Sequence, residues 1–131
     1  MIGYVTLGTN DLACAAPFYD ALTAEMGVGR MMEFATYIAW GEPGGGAGIG
    51  LTKPFNGQAA TVGNGVMVAF EAKDREQVQR LYDIALAQGG TDEGAPGPRG
   101  EADEHGVLFY AAYFRDRDGN KLNAYCMERV G

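Results

Sequence analysis

Two stretches of the chain show the same succession of patterns, an alternating run followed by apolar residues at helical spacing. Residues 2–8 alternate as a half-buried strand does, and residues 12–26 then place apolar side chains three and four positions apart. In the second half residues 66–71 alternate in the same way, and Asp74 is placed to cap a helical stripe that ends at Gly89. The sequence therefore predicts a strand-helix unit that occurs twice.

Further strand-like runs follow each predicted helix, at residues 34–40 and 47–52 in the first half and at 107–115 and 120–127 in the second. The predicted order is β-α-β-β-β, twice, in one α+β domain over residues 1–131. The first repeat covers about residues 1–54, a linker about 55–64, and the second repeat about 65–131. Residues 93–106, rich in glycine, proline and acidic side chains, are interpreted as a long loop.

Alternation also predicts which side chains share a face of each strand. One set on each strand is apolar and is expected to pack on the helices. The other set mixes aromatic, small and polar side chains on a face without helices, where it is expected to line a concave pocket. Its members on the first strand, the fifth strand and the last strand are Tyr4, Thr6, Met67, Ala69, Lys121, Asn123 and Tyr125.

An Asp-Gly turn joins the last two predicted strands, because residues 116–119 supply the side chains and the glycine that tight turns favour. Pairing Arg115 with Asn120 sets Tyr110 against Tyr125, and Tyr110 would then also face the pocket. A slip of one residue would exchange Tyr110 for Phe109 and Tyr113. The facing of Tyr37 and Trp40 is left open by the pattern.

The charge composition limits the kinds of molecule that the protein is expected to bind. The chain has 17 acidic and 10 basic residues, a net charge of −7, and no cluster of lysine and arginine. Nucleic acid and anionic membranes are therefore not expected as partners, and a cationic ligand is weakly favoured. No apolar stretch approaches the ~20 residues of a membrane span, and the first residues lack the pattern of a signal peptide, so a cytoplasmic location is predicted.

Three segments carry a resemblance to a known family: YVTLGTNDLACAAPFYDAL at the start, GVMVAFEAKDREQV at the start of the second half, and FRDRDGNKLNAYC near the end. Together with the duplicated plan, they resemble the vicinal oxygen chelate superfamily of glyoxalases, extradiol dioxygenases and resistance proteins for fosfomycin and bleomycin. The resemblance implies a curved, cup-shaped mixed sheet with helices on its outer face, a small-molecule ligand, and a homodimer.

The resemblance also locates the positions at which enzymes of the superfamily hold a divalent metal ion. These positions are Tyr4, Gly50, Met67 and Asn123 in this chain. A phenol, a glycine, a thioether and a neutral amide lack the carboxylate and imidazole donors that such an ion needs. Neither a metal nor another cofactor is therefore expected.

Three functions remain open on the sequence. The first is metal-independent binding of a small molecule in an aromatic cup. The second is a glyoxalase-like lyase (of the lactoylglutathione lyase type) or a dioxygenase-like enzyme, using a metal through other donors or acid/base chemistry from Tyr4, Tyr125 or His105. The third is a regulatory or structural subunit with a vestigial pocket. His105, the single histidine, is either a solvated loop residue or a proton donor at the pocket edge.

Overall fold

The computed structural model describes residues 1–130, which form two helices and eight strands. In chain order the elements are β1 (Tyr4–Gly8), α1 (Leu12–Glu25), β2 (Arg30–Phe34), β3 (Tyr37–Trp40), β4 (Gly48–Thr52), β5 (Val68–Glu71), α2 (Arg75–Ala87), β6 (Thr91–Pro98), β7 (Val107–Arg115) and β8 (Lys121–Arg129). No helix in this part of the chain is long and apolar enough to cross a membrane.

The strands form two four-stranded mixed sheets with the same topology. The first sheet has the order β1-β4-β3-β2 and the second β5-β8-β7-β6. In each, the strand before the helix runs parallel to the last strand of its half, and the remaining neighbours are antiparallel. The predicted α+β class and the repeated β-α-β-β-β order are confirmed.

Acidic side chains cap both helices, as residues before a helix commonly do. Asp11 accepts a hydrogen bond from the backbone N–H of Cys14 at 3.1 Å, and Asp74 accepts one from that of Gln77 at 2.8 Å. The side chain of Gln77 in turn accepts a hydrogen bond from the backbone N–H of Lys73 at 2.9 Å. These bonds satisfy backbone groups that have no partner inside the helix, and they fix where each helix begins.

Both helices pack on the apolar side of the sheets and contribute to one core. Phe18 of α1 lies 6.5 Å from Phe114 of β7, measured between ring centroids, so the core crosses from one half of the chain to the other. Burying each side chain of this size contributes roughly 1.5–3 kcal/mol to stability. The opposite face of each sheet carries no helix, and we call these the first open face and the second open face.

Two strands differ from the sequence prediction. Residues 93–106 were expected to be loop, but Thr91–Pro98 pairs with β7 through a ladder interrupted around Gly94 and Gly97. The outer edge of β7 needs hydrogen-bond partners, and this need overrides a local composition that disfavours strands. In the first half, Arg30–Phe34 is a separate strand that pairs with β3, whereas the pattern predicted one strand over residues 34–40 and none before it.

A buried polar network joins the two halves at the turn before β8. Asp116, 4% exposed, accepts hydrogen bonds from the hydroxyl of Tyr19 at 2.5 Å and from the side-chain amide of Asn120 at 2.9 Å. The same amide donates to the carbonyl of Gly8 at the end of β1 at 2.9 Å. Burial and the adjacent Asp116 carboxylate raise the pKa of Tyr19 well above its usual value, so its hydroxyl remains a donor. The network thereby fixes the start of β8.

Candidate functional site

The second open face is built by β5, β8, β7 and β6, whose facing side chains follow from the register. Ala69 pairs with Asn123 across the parallel ladder, and Tyr113 pairs with Asn123 across the antiparallel one. Asn123 is therefore flanked by Ala69 and Tyr113, with Lys121 and Tyr125 two residues away along its own strand. This arrangement makes Asn123 the centre of the face.

The expectation that Tyr110 belongs to this face is wrong. The ladder pairs Arg115 with Lys121 and places Tyr110 opposite Cys126, so Tyr110 packs against the core beneath the guanidinium of Arg75. Phe109 and Tyr113 occupy the open face instead. The register is one residue removed from the predicted one because Asn120 belongs to the turn, where its side chain is bound by Asp116 and Gly8.

Asn123 is buried without a hydrogen bond. It is 2% exposed, and its Oδ1 has no donor among residues 1–130. Its neighbours on the face include the small Ala69 and the ring of Tyr113. Leaving a buried polar atom unpaired costs about 1–3 kcal/mol. Because this acceptor has almost no exposed surface, a ligand reaches it only when a neighbouring side chain of the face moves aside.

Two cations lie beside the ring of Tyr113. The guanidinium of Arg99 is 5.4 Å from the ring centroid, and the ammonium of Lys121 is 5.6 Å from it. Each is within the range of a cation–π contact. One side of the site is therefore positively charged.

An aromatic pair and one carboxylate lie on the other side of Asn123. The rings of Phe109 and Tyr125 are 5.4 Å apart, and the hydroxyl of Tyr125 donates to Glu71 at 3.1 Å. Desolvation and this bond raise the pKa of Tyr125 above its usual value, so the phenol stays protonated at neutral pH. The site thus combines aromatic surface, an amide and charges of both signs.

The first open face differs most at Gly50, the equivalent of Asn123 in the first sheet. Gly50 pairs with Ala39 of β3, and the ring of Tyr37 lies directly over it. A Cβ atom at position 50 would come within 2.6 Å of Cε1 of Tyr37 and would overlap its hydroxyl. Tyr37 therefore occupies the space that a longer side chain at this position would need.

The residues at the four metal positions of the family do not fit a divalent ion. Position 50 offers no donor and is covered by Tyr37, while Asn123 offers one neutral oxygen. Tyr4 and Met67 are 67% and 41% exposed, and a phenol and a thioether are poor partners for a hard ion. Within residues 1–130 no three histidine, cysteine or acidic side chains cluster as a metal site would require.

The predicted site residues divide between two sheets that share no hydrogen-bonded ladder. Tyr4 and Thr6 lie on β1 of the first sheet, whereas Ala69, Asn123 and Tyr125 lie together on the second. Trp40 belongs to the core and Tyr37 to the first open face. The side chain of His105 is 74% exposed beside Glu104, in the loop before β7.

Sequence reasoning placed Lys121 on the open face but missed Arg99 and Glu71 as parts of the site. Glu71 carried a signal, since it alternates in phase with Ala69 on β5. Arg99 carried none, because it follows β6, the strand that composition did not reveal.

A cavity of about 590 Å³ lies between the edge strands of the two sheets and adjoins the site, since Met67 and Ala69 of the predicted site are among its lining residues. Its walls come from β1, β4, β5 and the β3–β4 hairpin, and its lining is apolar and includes Val5, Trp40 and Phe70. All three side chains point toward the helix side, away from Asn123. This cavity is a gap between two unpaired sheet edges, whereas the second open face brings polar groups together.

Residues 1–124 match the sequence model of the Glyoxalase/Bleomycin resistance protein/Dioxygenase superfamily. No curated protein matches the chain. Among solved structures, a glyoxalase/bleomycin resistance protein from Albidiferax ferrireducens T118 is 37% identical, with a TM-score of 0.83 over 96% of this chain and 98% of that one.

More distant structures share the fold alone. A hypothetical protein from S. aureus is 23% identical, with a TM-score of 0.70 over 94% of this chain and 91% of that one. A glyoxalase/bleomycin resistance protein/dioxygenase family enzyme from Burkholderia phytofirmans PsJN is 20% identical, with a TM-score of 0.71 over 95% of this chain and 96% of that one.

Proposed function

The chain belongs to the glyoxalase/bleomycin resistance protein/dioxygenase superfamily, and we propose that it binds a small molecule on its second open face without a metal ion. The observation that carries this proposal is the buried, unpaired amide of Asn123. A ligand that donates a hydrogen bond to its Oδ1 removes the cost of the unpaired acceptor, and this gain adds to the affinity.

The surroundings of Asn123 support a ligand of small-molecule size. The rings of Phe109, Tyr113 and Tyr125 offer flat apolar surface, and the amide offers one fixed polar contact. Binding sites for small molecules commonly combine these two features. Metal independence is supported by the poor donors at the four metal positions and by the ring of Tyr37 over Gly50.

A second candidate function is supported by the bond between Tyr125 and Glu71. A hydroxyl paired with a carboxylate beside a polar pocket is an arrangement that enzymes use for proton transfer. In that case Glu71 accepts a proton from a bound substrate and Tyr125 orients the carboxylate. Turnover of a bound compound that is lost in Glu71→Gln, with binding retained, would favour the enzyme over the binding protein.

The predicted homodimer stays a prediction. It is supported by exposed aromatic side chains on the first open face, since Tyr4 and Phe34 are both largely uncovered. Exposed aromatic side chains that lie on one face are common where a second copy packs.

A thermal-shift screen of metabolites and antibiotics tests the proposal, with the wild-type protein compared with Asn123→Ala. We expect compounds that raise the Tm of the wild type and bind at least about tenfold more weakly to the variant, since a buried hydrogen bond is lost. Asn64→Ala is the matched control, because Asn64 is exposed in the linker.

Metal dependence is measured on the same samples, with a chelator and with Ni²⁺, Zn²⁺, Mn²⁺ or Fe²⁺ added. We expect binding of the hits to be unchanged by either treatment. Hits that bind Asn123→Ala as well as the wild type would show that the site lies elsewhere. Hits that bind only with a divalent ion would overturn metal independence.

A further inference from the structure

We propose that the site around Asn123 takes an anionic ligand, whose carboxylate or phosphate group lies against Arg99 and Lys121 while a neighbouring N–H or O–H group donates to Asn123 Oδ1. This inference rests on the proposed function and names the ligand class of the same site. It differs from the expectation drawn from the net charge of −7, because the charge near Asn123 is not that of the whole chain.

Arg99 is held across the sheet by the backbone around β6. Its Nη2 donates to the carbonyl of Ala95 at 2.6 Å, and its nitrogens lie over Gly94 and Gly97. A Cβ atom at either glycine would come within 3.2 Å or 3.1 Å of the guanidinium. The two glycines therefore leave the space that Arg99 occupies beside Tyr113, with donors left over for a ligand.

Neither Arg99 nor Lys121 forms an ion pair with a carboxylate within residues 1–130. Arg115 is the next residue after Tyr113 on this face of β7. In contrast to Arg99 and Lys121, it has a carboxylate partner, since its guanidinium is held by Glu93 at 2.5 Å and by the carbonyl of Gly119. Of these three cations, two are left for a ligand. Lys121 on β8 and Arg99 after β6 flank Tyr113 of β7 from its two sides, and cations without counter-charges attract an anion.

The carboxylate of Glu71 determines in which orientation an anionic ligand binds. It lies on the opposite side of Asn123 from Lys121, where its carboxylate accepts from Tyr125. Like charges repel, so the anionic group lies at the Arg99 and Lys121 end and the hydrogen-bond donor lies toward Asn123. A compound with a carboxylate or phosphate at one end and a donor group at the other matches this order.

Three probes that share one ring test the inference: 4-aminobenzoate, 4-aminophenyl phosphate and the neutral 4-aminobenzamide. Binding to the full chain is followed by chemical-shift changes in ¹⁵N spectra during titration at low salt. We expect at least one of the two anions to bind about tenfold or more tightly than the amide, and to move the signals of Tyr113, Lys121 and Asn123. The tighter anion identifies a carboxylate or a phosphate as the favoured group.

Charge-removing variants locate the contact. Arg99→Gln and Lys121→Gln are each expected to weaken the anions several-fold and to leave binding of the amide unchanged. Arg80→Gln and Lys53→Gln are the controls for loss of a positive charge, since Arg80 is exposed on α2 and Lys53 is exposed after β4 in the first half of the chain. Raising the ionic strength should weaken the anions alone.

The outcomes separate this inference from the proposed function. If the amide binds as tightly as the anions and still requires Asn123, the site stands and the anionic class is wrong. If neither anion binds in the millimolar range, the anionic class is likewise wrong. Anions that bind Asn123→Ala, Arg99→Gln and Lys121→Gln as tightly as the wild type would overturn both.

Discussion

Two asparagines three residues apart, Asn120 and Asn123, are buried to the same extent but differ in their hydrogen bonds. Each is 2% exposed. The side chain of Asn120 donates to Asp116 and to Gly8, and its backbone N–H also donates to Asp116. The side chain of Asn123 has no hydrogen bond within the described part of the chain.

The difference separates two uses of a buried amide. Asn120 belongs to the network that joins the halves of the chain, and its contribution is to stability. Asn123 costs stability in the free protein, and that cost is recovered when a ligand supplies the missing donor. Burial alone therefore does not identify a site, whereas burial without a hydrogen-bond partner does indicate one.

Removing Asp116 leaves Asn120 with only its side-chain hydrogen bond to Gly8, and we expect the largest effect from this change. Asp116→Ala removes the acceptor for Tyr19 and Asn120 and leaves buried donors unpaired. The expected loss of unfolding free energy is about 3 kcal/mol or more, measured by urea denaturation. Asp118→Ala is the control, because Asp118 accepts from Asn10 at the surface and should cost under about 1 kcal/mol. Equal losses in the two variants would show that the buried network contributes no more to stability than the surface contact of Asp118.

Truncating each asparagine compares them directly. Asn120→Ala is expected to lower the unfolding free energy by about 2 kcal/mol, because the Gly8 carbonyl and the Asp116 carboxylate lose a donor. Asn123→Ala should change the unfolding free energy by less than about 0.5 kcal/mol, because the removal of an unpaired polar group offsets the lost packing. A cost for Asn123→Ala as large as that for Asn120→Ala would mean that Asn123 has a structural partner.

The first sheet supplies the smallest test, at the position equivalent to Asn123. Gly50→Ala is expected to lower the unfolding free energy by about 1 kcal/mol, because its Cβ overlaps the ring of Tyr37. The same change should cost little in a Tyr37→Ala background, which a double-mutant cycle measures. Gly46→Ala is the control, since a Cβ at Gly46 meets nothing within 4 Å. Additive effects of the two substitutions would show that Tyr37 does not fill this position.

The sequence was sufficient for the order of elements and for the facing of β1, β5 and β8. Their alternation is local, and the apolar set on each strand packs on the core as predicted. The register of β7 on β8 was not predictable in this way. It depends on Asn120 binding Gly8, a contact between residues 112 positions apart that no local pattern contains.

The site was predicted in part for the same reason. Asn123, Ala69 and Tyr125 followed from alternation, and Tyr113 would have followed with the correct register. Arg99 depends on β6, which forms because the edge of β7 needs partners and not because its own residues favour a strand. The lack of a hydrogen bond at Asn123 depends on all of the side chains that surround it, and no sequence pattern indicates it.

The ring of Tyr37 over Gly50 also determines in what order a metal site could be rebuilt in this chain. A carboxylate introduced at position 50 as the first step collides with Tyr37 and has no ion to bind, so that step lowers stability and adds no activity. If Tyr37 is shortened first, the same carboxylate enters without collision. The introduction of a carboxylate at position 50 therefore has a preferred order, in which the first substitution is at Tyr37 and the second at Gly50.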